Sequence, residues 1–195
     1  MSYTRLLPIP DLELLPIQPI DPAALEQIVH ELQSRGVNTR LERPILRPRG
    51  SYDARRRQFR ADVLLARVAL SASRPVLGVT DGDCYAGNLN FVFGIADPSG
   101  GLAVVSLGRL RANATASTFM ARAMKEIFHE LGHAFGLRHC ANSHCVMHFS
   151  NSLADTDVKD EQLCAGCVQR MQAQLSPQAL GSAVNAFSRI NGGAT

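Results

Sequence analysis

The chain has 195 residues, a net charge of +3 and 46% hydrophobic residues, which suits one soluble globular domain with a sizeable core. No apolar run approaches the length of a membrane span, and the N-terminal one is short and broken by Pro8 and Pro10. Neither a membrane anchor nor a secretory leader is expected from these runs, and the cytoplasm is the expected address.

Leu12 to Ile20 reads as a first strand, with prolines that keep it from pairing throughout. Asp21 then caps a helix that opens on Pro22. Leu25, Ile28, Val29 and Leu32 form its apolar face, and Gly36 stops it. Val37 to Leu46 reads as a second strand. A longer helix is expected from Asp53 to Ser71, with Val63, Leu64, Val68 and Leu70 inward. The same region is rich in charge. Arg35 to Arg60 holds nine arginines against Glu42 and Asp53, a local +7 that leaves −4 elsewhere. Only Tyr52 and Phe59 interleave with them, so a solvated face explains the cluster better than a nucleic-acid surface.

Val76 to Thr80 is a short apolar strand followed by the turn Asp81-Gly-Asp83. Asn88 to Ile95 and Leu102 to Leu107 flank Asp97-Pro-Ser-Gly-Gly101 and read as strand, turn, strand. Cys84 is expected to be a small buried residue rather than a reactive thiol. Thr115 or Ser117 caps a long helix that runs to about Leu137, with Phe119, Ala123, Ile127, Leu131 and Ala134 inward. Cys164 and Cys167 sit at the start of a helix over 161–175. Ser176-Pro177 begins a further helix, with Leu180, Val184 and Phe187 on one stripe. The expected organisation is one domain over 1–195, with a core over 12–175 and a C-terminal helical extension over 176–195.

The chemistry concentrates in H129-E-L-G-H-A-F-G-L-R-H139-C140. His129 and His133 are four residues apart, one helical turn on one face, the spacing two imidazoles need to hold one zinc ion. Glu130 lies beside the first histidine, placed to take a proton from a water at the metal. Gly136 supplies the positive φ that turns the chain back, so that His139 arrives as a third ligand. Three nitrogens leave a fourth position open for water, the layout of a catalytic zinc site. Cys140, Cys145, Cys164 and Cys167 follow as C-x4-C and C-x2-C, the pattern of a tetrahedral structural zinc. The alternative is two disulfides or buried thiols, which a reducing compartment disfavours. Because Cys140 adjoins His139, the second zinc reads as a brace for the first.

H-E-x-x-H-x-x-G-x-x-H followed by Cys145-Val-Met147 resembles the metzincin signature with its Met-turn, Met147 being the turn methionine. The continuation through Ser150-Asn-Ser-Leu, Asp157, Lys159 and C164-x-x-C167 resembles the archaemetzincins. The likeness is strong over Lys125 to Cys167. It is weaker at L14-L-P-I-Q-P-I, V76-L-G-V-T-D and L89-N-F-V-F-G. It implies a compact, single-domain metzincin-like α/β fold. Such a fold has a twisted mixed sheet with one antiparallel edge strand, an active-site helix, a Met-turn and C-terminal helices. It implies two zinc ions, and a metallopeptidase, some members of the family being aminopeptidases. It also places an extended substrate along Leu89 to Phe93 by strand addition. Where some metzincins carry a tyrosine two residues after the methionine, this chain has Phe149.

The reading is zinc-dependent peptide-bond hydrolysis with Glu130 as general base and Met147 as an apolar floor. His144 and His148 stand near the metals without fitting the ligand spacing, and His30 reads as surface. Asp157 and Lys159 are expected to form a local ion pair. Two other classes stay open: a catalytically silent zinc protein that binds peptides, and a nucleic-acid module using the arginine cluster. An occluded cleft would favour the first and a salt-dependent gel shift the second. A peptide or protein substrate is the expected partner, with no membrane and a monomer favoured.

Overall fold

The computed structural model describes residues 11–71 and 75–174, and the helix expected over 176–195 lies outside them. In chain order its first elements are β1 (Leu12–Pro16), α1 (Pro22–Ser34), β2 (Thr39–Leu41), β3 (Tyr52–Asp53), β4 (Gln58–Arg60) and α2 (Ala61–Val68). Then come β5 (Val76–Thr80), β6 (Cys84–Tyr85), β7 (Gly94–Asp97), β8 (Leu102–Ser106), α3 (Ala116–Ala134), α4 (Leu153–Val158) and α5 (Ala165–Gln174).

Five strands form a mixed sheet in the order β2-β1-β5-β8-β7, parallel except for the antiparallel edge strand β7. Strands β1, β5 and β8 are buried at every residue, because helices cover both faces; their sequences are accordingly apolar runs, not alternations. Helices α1 and α3 pack on one face and α2 on the other, giving two cores that share the sheet. Helix α1 starts as its sequence dictates: Asp21 accepts the Ala23 N–H at 3.1 Å, with Pro22 in the first turn. Cys84 is fully buried in the second core, and burial pushes its thiol up to about 12, so it is inert packing.

Four expected elements are redrawn. The helix expected over 53–71 is a helix only from Ala61. Before that, Asp53 Oδ1 accepts the N–H groups of Arg55 and Arg56 and closes a turn, with Arg57 at φ +57°. The chain doubles back as β3–β4, and Tyr52 and Phe59 pair across it with ring centroids 5.1 Å apart. The first two strands are shorter than expected. Pro44, which has no N–H to donate, interrupts their pairing, which resumes only as a bridge between Ile17 and Ile45. Leu89 to Phe93 is not the edge strand. Arg56 and Gln58 hold the carbonyls of Leu89 and Asn90, and Val92 bridges to Cys84. The edge strand itself begins at Gly94.

Among the described residues, three of the nine arginines of the cluster form ion pairs with acids. Arg35 meets Glu31 and Glu161, Arg40 meets Glu13 and Glu42, and Arg60 meets Asp62. Arg47 lies over Tyr52, and Arg56 over Tyr85 at 4.1 Å.

Asp157 and Lys159 do not pair with each other; both reach back to α3. Arg122 grips Asp157 through two 2.7 Å bonds, and Lys125 donates to the carbonyls of Thr156 and Asp157. Arg122 holds the Asp157 carboxyl below its ordinary value. A lowered folded value means that this tie stabilises above the unfolded value, about pH 4, and is lost as pH falls through the folded one. Asp157 is 44% exposed, so solvent screening limits the effect to about 1 kcal/mol. Asp157→Asn should therefore lower the melting temperature slightly at pH 7, with the gap closing below about pH 4. Paired melts across that range check it; a constant gap would argue against the ion pair.

Candidate active site

Helix α3 carries an apolar face into the first core, yet within that buried face Arg122, Glu126, His129 and Glu130 are also buried. With His133 they recur every three or four residues and so form a polar stripe along one side. Thr115 caps the helix start by accepting the Thr118 N–H at 3.2 Å. At the other end the Gly136 N–H donates to His133 O and the Leu137 N–H to Gly132 O, with Gly136 at φ +87°. That left-handed residue reverses the chain and brings His139 over the helix.

The three histidines converge, each offering a ring nitrogen, and these atoms lie within 4.8 Å of one another. His129 donates from Nδ1 to the Val146 carbonyl at 2.8 Å, and His133 from Nδ1 to the Leu137 carbonyl at 2.7 Å. Each bond turns an Nε2 lone pair inward. Those two Nε2 atoms are 3.1 Å apart. Tetrahedral donors about 2.0–2.1 Å from one zinc ion would be separated by about 3.3 Å, so the pair fits one metal. Burial pushes His129 down to about 2, and Lys159 acts in the same direction. Burial also lowers His133 and His139. All three are therefore neutral imidazoles, the form that ligates.

Glu130 is buried beside them. Burial, and then the charge of Glu126, push its carboxyl up to about 8, while Lys159 opposes the rise. Glu126 is itself buried and accepts from Thr156 Oγ1 at 2.8 Å. Lys159, with no solvent exposure, places Nζ 3.0 Å from Glu126 Oε1 but off hydrogen-bond alignment. The contact is thus Coulombic. Sequence reasoning misses Glu126 and Arg122; the three-to-four spacing with His129 and His133 is the signal that marks them.

Met147 is fully buried and packs against Gly132 of α3. A Cβ placed on Gly132 would come 2.3 Å from Met147 Sδ, so the missing side chain of Gly132 is what lets the turn seat against α3. Gly132→Ala should cost about 1–3 kcal/mol by overpacking, read as a lower urea midpoint at unchanged slope. An unshifted midpoint would mean that Met147 adapts freely. Phe149 packs against His139 with centroids 4.8 Å apart and the rings tilted by 51°. His148 donates from Nδ1 to the Cys140 carbonyl at 3.0 Å, His144 is exposed near Asp160, and His30 is exposed on α1.

Four cysteines gather next to this site, their sulfurs within 4.8 Å of one another. Cys140 and Cys164 are 3.8 Å apart and Cys145 and Cys167 3.6 Å, far beyond the roughly 2.05 Å of a disulfide. Sulfurs about 2.3 Å from one tetrahedral zinc would stand about 3.8 Å apart. The Cys164 N–H donates to Cys145 Sγ, and Arg170, absent from the sequence reading, donates to Cys167 Sγ at 3.0 Å. The Cys167 backbone lowers the Cys164 thiol to about 7. The Cys140 N–H donates to the Met147 carbonyl, which ties the residue after His139 to the turn carrying Met147.

A cleft of ≈ 1010 Å³ opens over the histidines, walled by Phe91, Phe93, Gly94, Glu130, His139 and Phe149. A profile of peptidase family M54 matches residues 53–173, well over half of the chain and both clusters. The chain belongs to peptidase family M54. Archaemetzincin from Pyrococcus furiosus is 44% identical over 136 residues, 64% of this chain and 70% of that one. Archaemetzincin from Methanocaldococcus jannaschii is 43% identical over 127 residues, 63% of this chain and 70% of that one. The crystal structure of archaemetzincin from Archaeoglobus fulgidus superposes with a TM-score of 0.74 at 33% identity, covering 82% of this chain and 99% of that one. That from Methanopyrus kandleri also gives 0.74 at 33% identity, covering 85% and 94%. As a member of M54 the chain is a zinc metallopeptidase, a hydrolase of peptide bonds. Its three-histidine and four-cysteine clusters are each able to hold a metal ion. Among the described residues no helix is long and apolar enough to cross a membrane.

Proposed function

We propose that His129, His133 and His139 hold a catalytic zinc, that Glu130 is the general base, and that Cys140, Cys145, Cys164 and Cys167 hold a second, structural zinc. The observation that carries this reading is the convergence of three neutral imidazoles beside a buried carboxylate inside an open cleft. When bound, the catalytic zinc supplies Lewis acidity to a water and to the scissile carbonyl. Glu130 takes the proton of the attacking water and returns it to the leaving amine. Its raised value suits that return, since a carboxyl near neutrality gives up a proton as readily as it takes one. Four thiolate ligands need a reducing compartment, which supports the cytoplasm.

The substrate lies along β7. The Ser106 N–H bonds Phe93 O, and the register pairs Ile95 with Val104 and Gly94 with Val105. Antiparallel alternation then turns the N–H and C=O groups of Gly94 and Ala96 away from β8, toward the cleft. An extended peptide would pair there by strand addition, one step further along the chain than Leu89 to Phe93. The acids lining the cleft among the described residues are Glu126, engaged by Lys159 and Thr156, and Glu130. With no spare carboxylate for a free α-amine, internal cleavage is favoured over removal of N-terminal residues.

The test is digestion of a diverse peptide pool by zinc-loaded protein, read by mass spectrometry beside Glu130→Ala. Internal fragments whose rate falls by about 10²–10⁴-fold in the variant, with zinc retained, are expected. Products confined to trimmed N-termini would make it an aminopeptidase. No Glu130-dependent product would overturn the hydrolytic reading of this site.

A further inference from the structure

We propose that Gly94 is a positioning residue for Glu130: its missing side chain is the space in which the carboxylate is held. This rests on the reading of Glu130 as the base. An ideal Cβ on Gly94 would stand 2.4 Å from Glu130 Cγ, 2.6 Å from Cδ and 2.7 Å from Oε1. Among the crowded glycines described, Gly78 and Gly82 would meet core side chains and Gly132 would meet Met147. Gly94 alone would meet the proposed base.

Backbone conformation does not explain the glycine. Gly94 is not among the residues with positive φ, and it sits in regular ladder register opposite Val105. An alanine in that extended conformation carries no strain, and replacing a glycine lowers the chain entropy lost on folding. The conflict is therefore with one side chain. Glu130 is only 6% exposed and Glu126 stands one turn behind it on α3, so a displaced carboxylate has little room except by rotating away from the histidines. Edge strand and active-site helix thus contribute jointly to the site: α3 supplies the acid, and β7 supplies the gap that aims it.

Gly94→Ala should stay folded and keep its zinc, losing no more stability than Gly132→Ala, while kcat/KM falls about a hundredfold, as a misplacement near 1 Å does. A second readout needs no turnover. Acetohydroxamic acid chelates zinc while its proton passes to a neighbouring carboxylate, so calorimetric affinity for zinc-loaded protein reports where Glu130 stands. Gly94→Ala and Glu130→Ala should each weaken it about tenfold. In the Glu130→Ala background the added Gly94→Ala should change it by less than about twofold. Three outcomes overturn the proposal: a hydroxamate loss that persists without Glu130, unchanged kcat/KM and affinity in Gly94→Ala, or loss of zinc or of folding in that variant. If wild-type protein cleaves no peptide, the hydrolytic reading fails, yet the hydroxamate cycle still decides the contact between Gly94 and Glu130.

Discussion

Lys159→Met is expected to destabilise the protein by about 3–5 kcal/mol, although it removes a side chain that touches no solvent and no substrate. The reason is the partner left behind. Lys159 and Glu126 are 0% and 3% exposed, and their charges face each other at 3.0 Å. Without the ammonium, Glu126 becomes an uncompensated buried carboxylate next to Glu130. Thr156 gives Glu126 one hydrogen bond, worth far less than the lost charge partner. Removing both charges in Glu126→Leu/Lys159→Met should recover most of the loss, since an apolar pair of similar volume needs no desolvation. Urea unfolding of wild type, single and double variants measures this. A single variant costing less than about 1 kcal/mol would show that the pair is not energetically coupled. The same cation acts on the metal site, because it disfavours protonation of His129, His133 and His139.

That pair also marks how far the sequence can be read. His129, Glu130 and His133 are legible because a helix turns spacing into geometry, and α3 begins at Thr115 and breaks at Gly136 as local rules require. The four cysteines are legible for a related reason: few arrangements other than a metal satisfy C-x4-C beside C-x2-C. The partnerships Glu126–Lys159 and Arg122–Asp157 join residues more than thirty positions apart, and no local pattern announces which acid meets which base. The segment Tyr52 to Arg60 misleads in the opposite way. Its many arginines and the apolar positions beyond them fit a helical period, but the Asp53 side chain closes a turn that the period does not reveal. Leu89 to Phe93 looks like a strand because it is apolar and aromatic. Its carbonyls are captured by Arg56 and Gln58 from a distant hairpin, so the open edge falls to Gly94 and Ala96. Local chemistry is written locally, and the cleft wall depends on tertiary competition for backbone groups.

Cys167→Ser should release one zinc equivalent and take peptide cleavage with it, although Cys167 does not line the cleft. Cys167 is fully buried at the start of α5, and Cys145 is buried in the loop that precedes Met147. Between Ala134 and Ala165 the described chain holds only the six-residue α4, so its course depends on packing and cross-links more than on secondary structure. A four-thiolate zinc would join its two ends. Structural zinc sites in small peptides contribute about 10–16 kcal/mol; here Val146 and Met147 keep their core contacts, so a smaller loss, about 3 kcal/mol or more, is expected. The route to the active site is short. Cys140 follows His139, and its N–H bonds the carbonyl of Met147, so loosening the sulfur cluster frees both the proposed third ligand and the turn that carries Met147. Zinc content by colorimetric chelation, melting temperature and cleavage rate should therefore fall together. If zinc content falls by one equivalent while stability and cleavage stay at wild-type levels, the second metal is not a brace. If zinc content does not change, Cys167 is not a ligand. A concerted loss would show that the loop carrying His139 has no geometry of its own and borrows it from the thiolate cluster behind it.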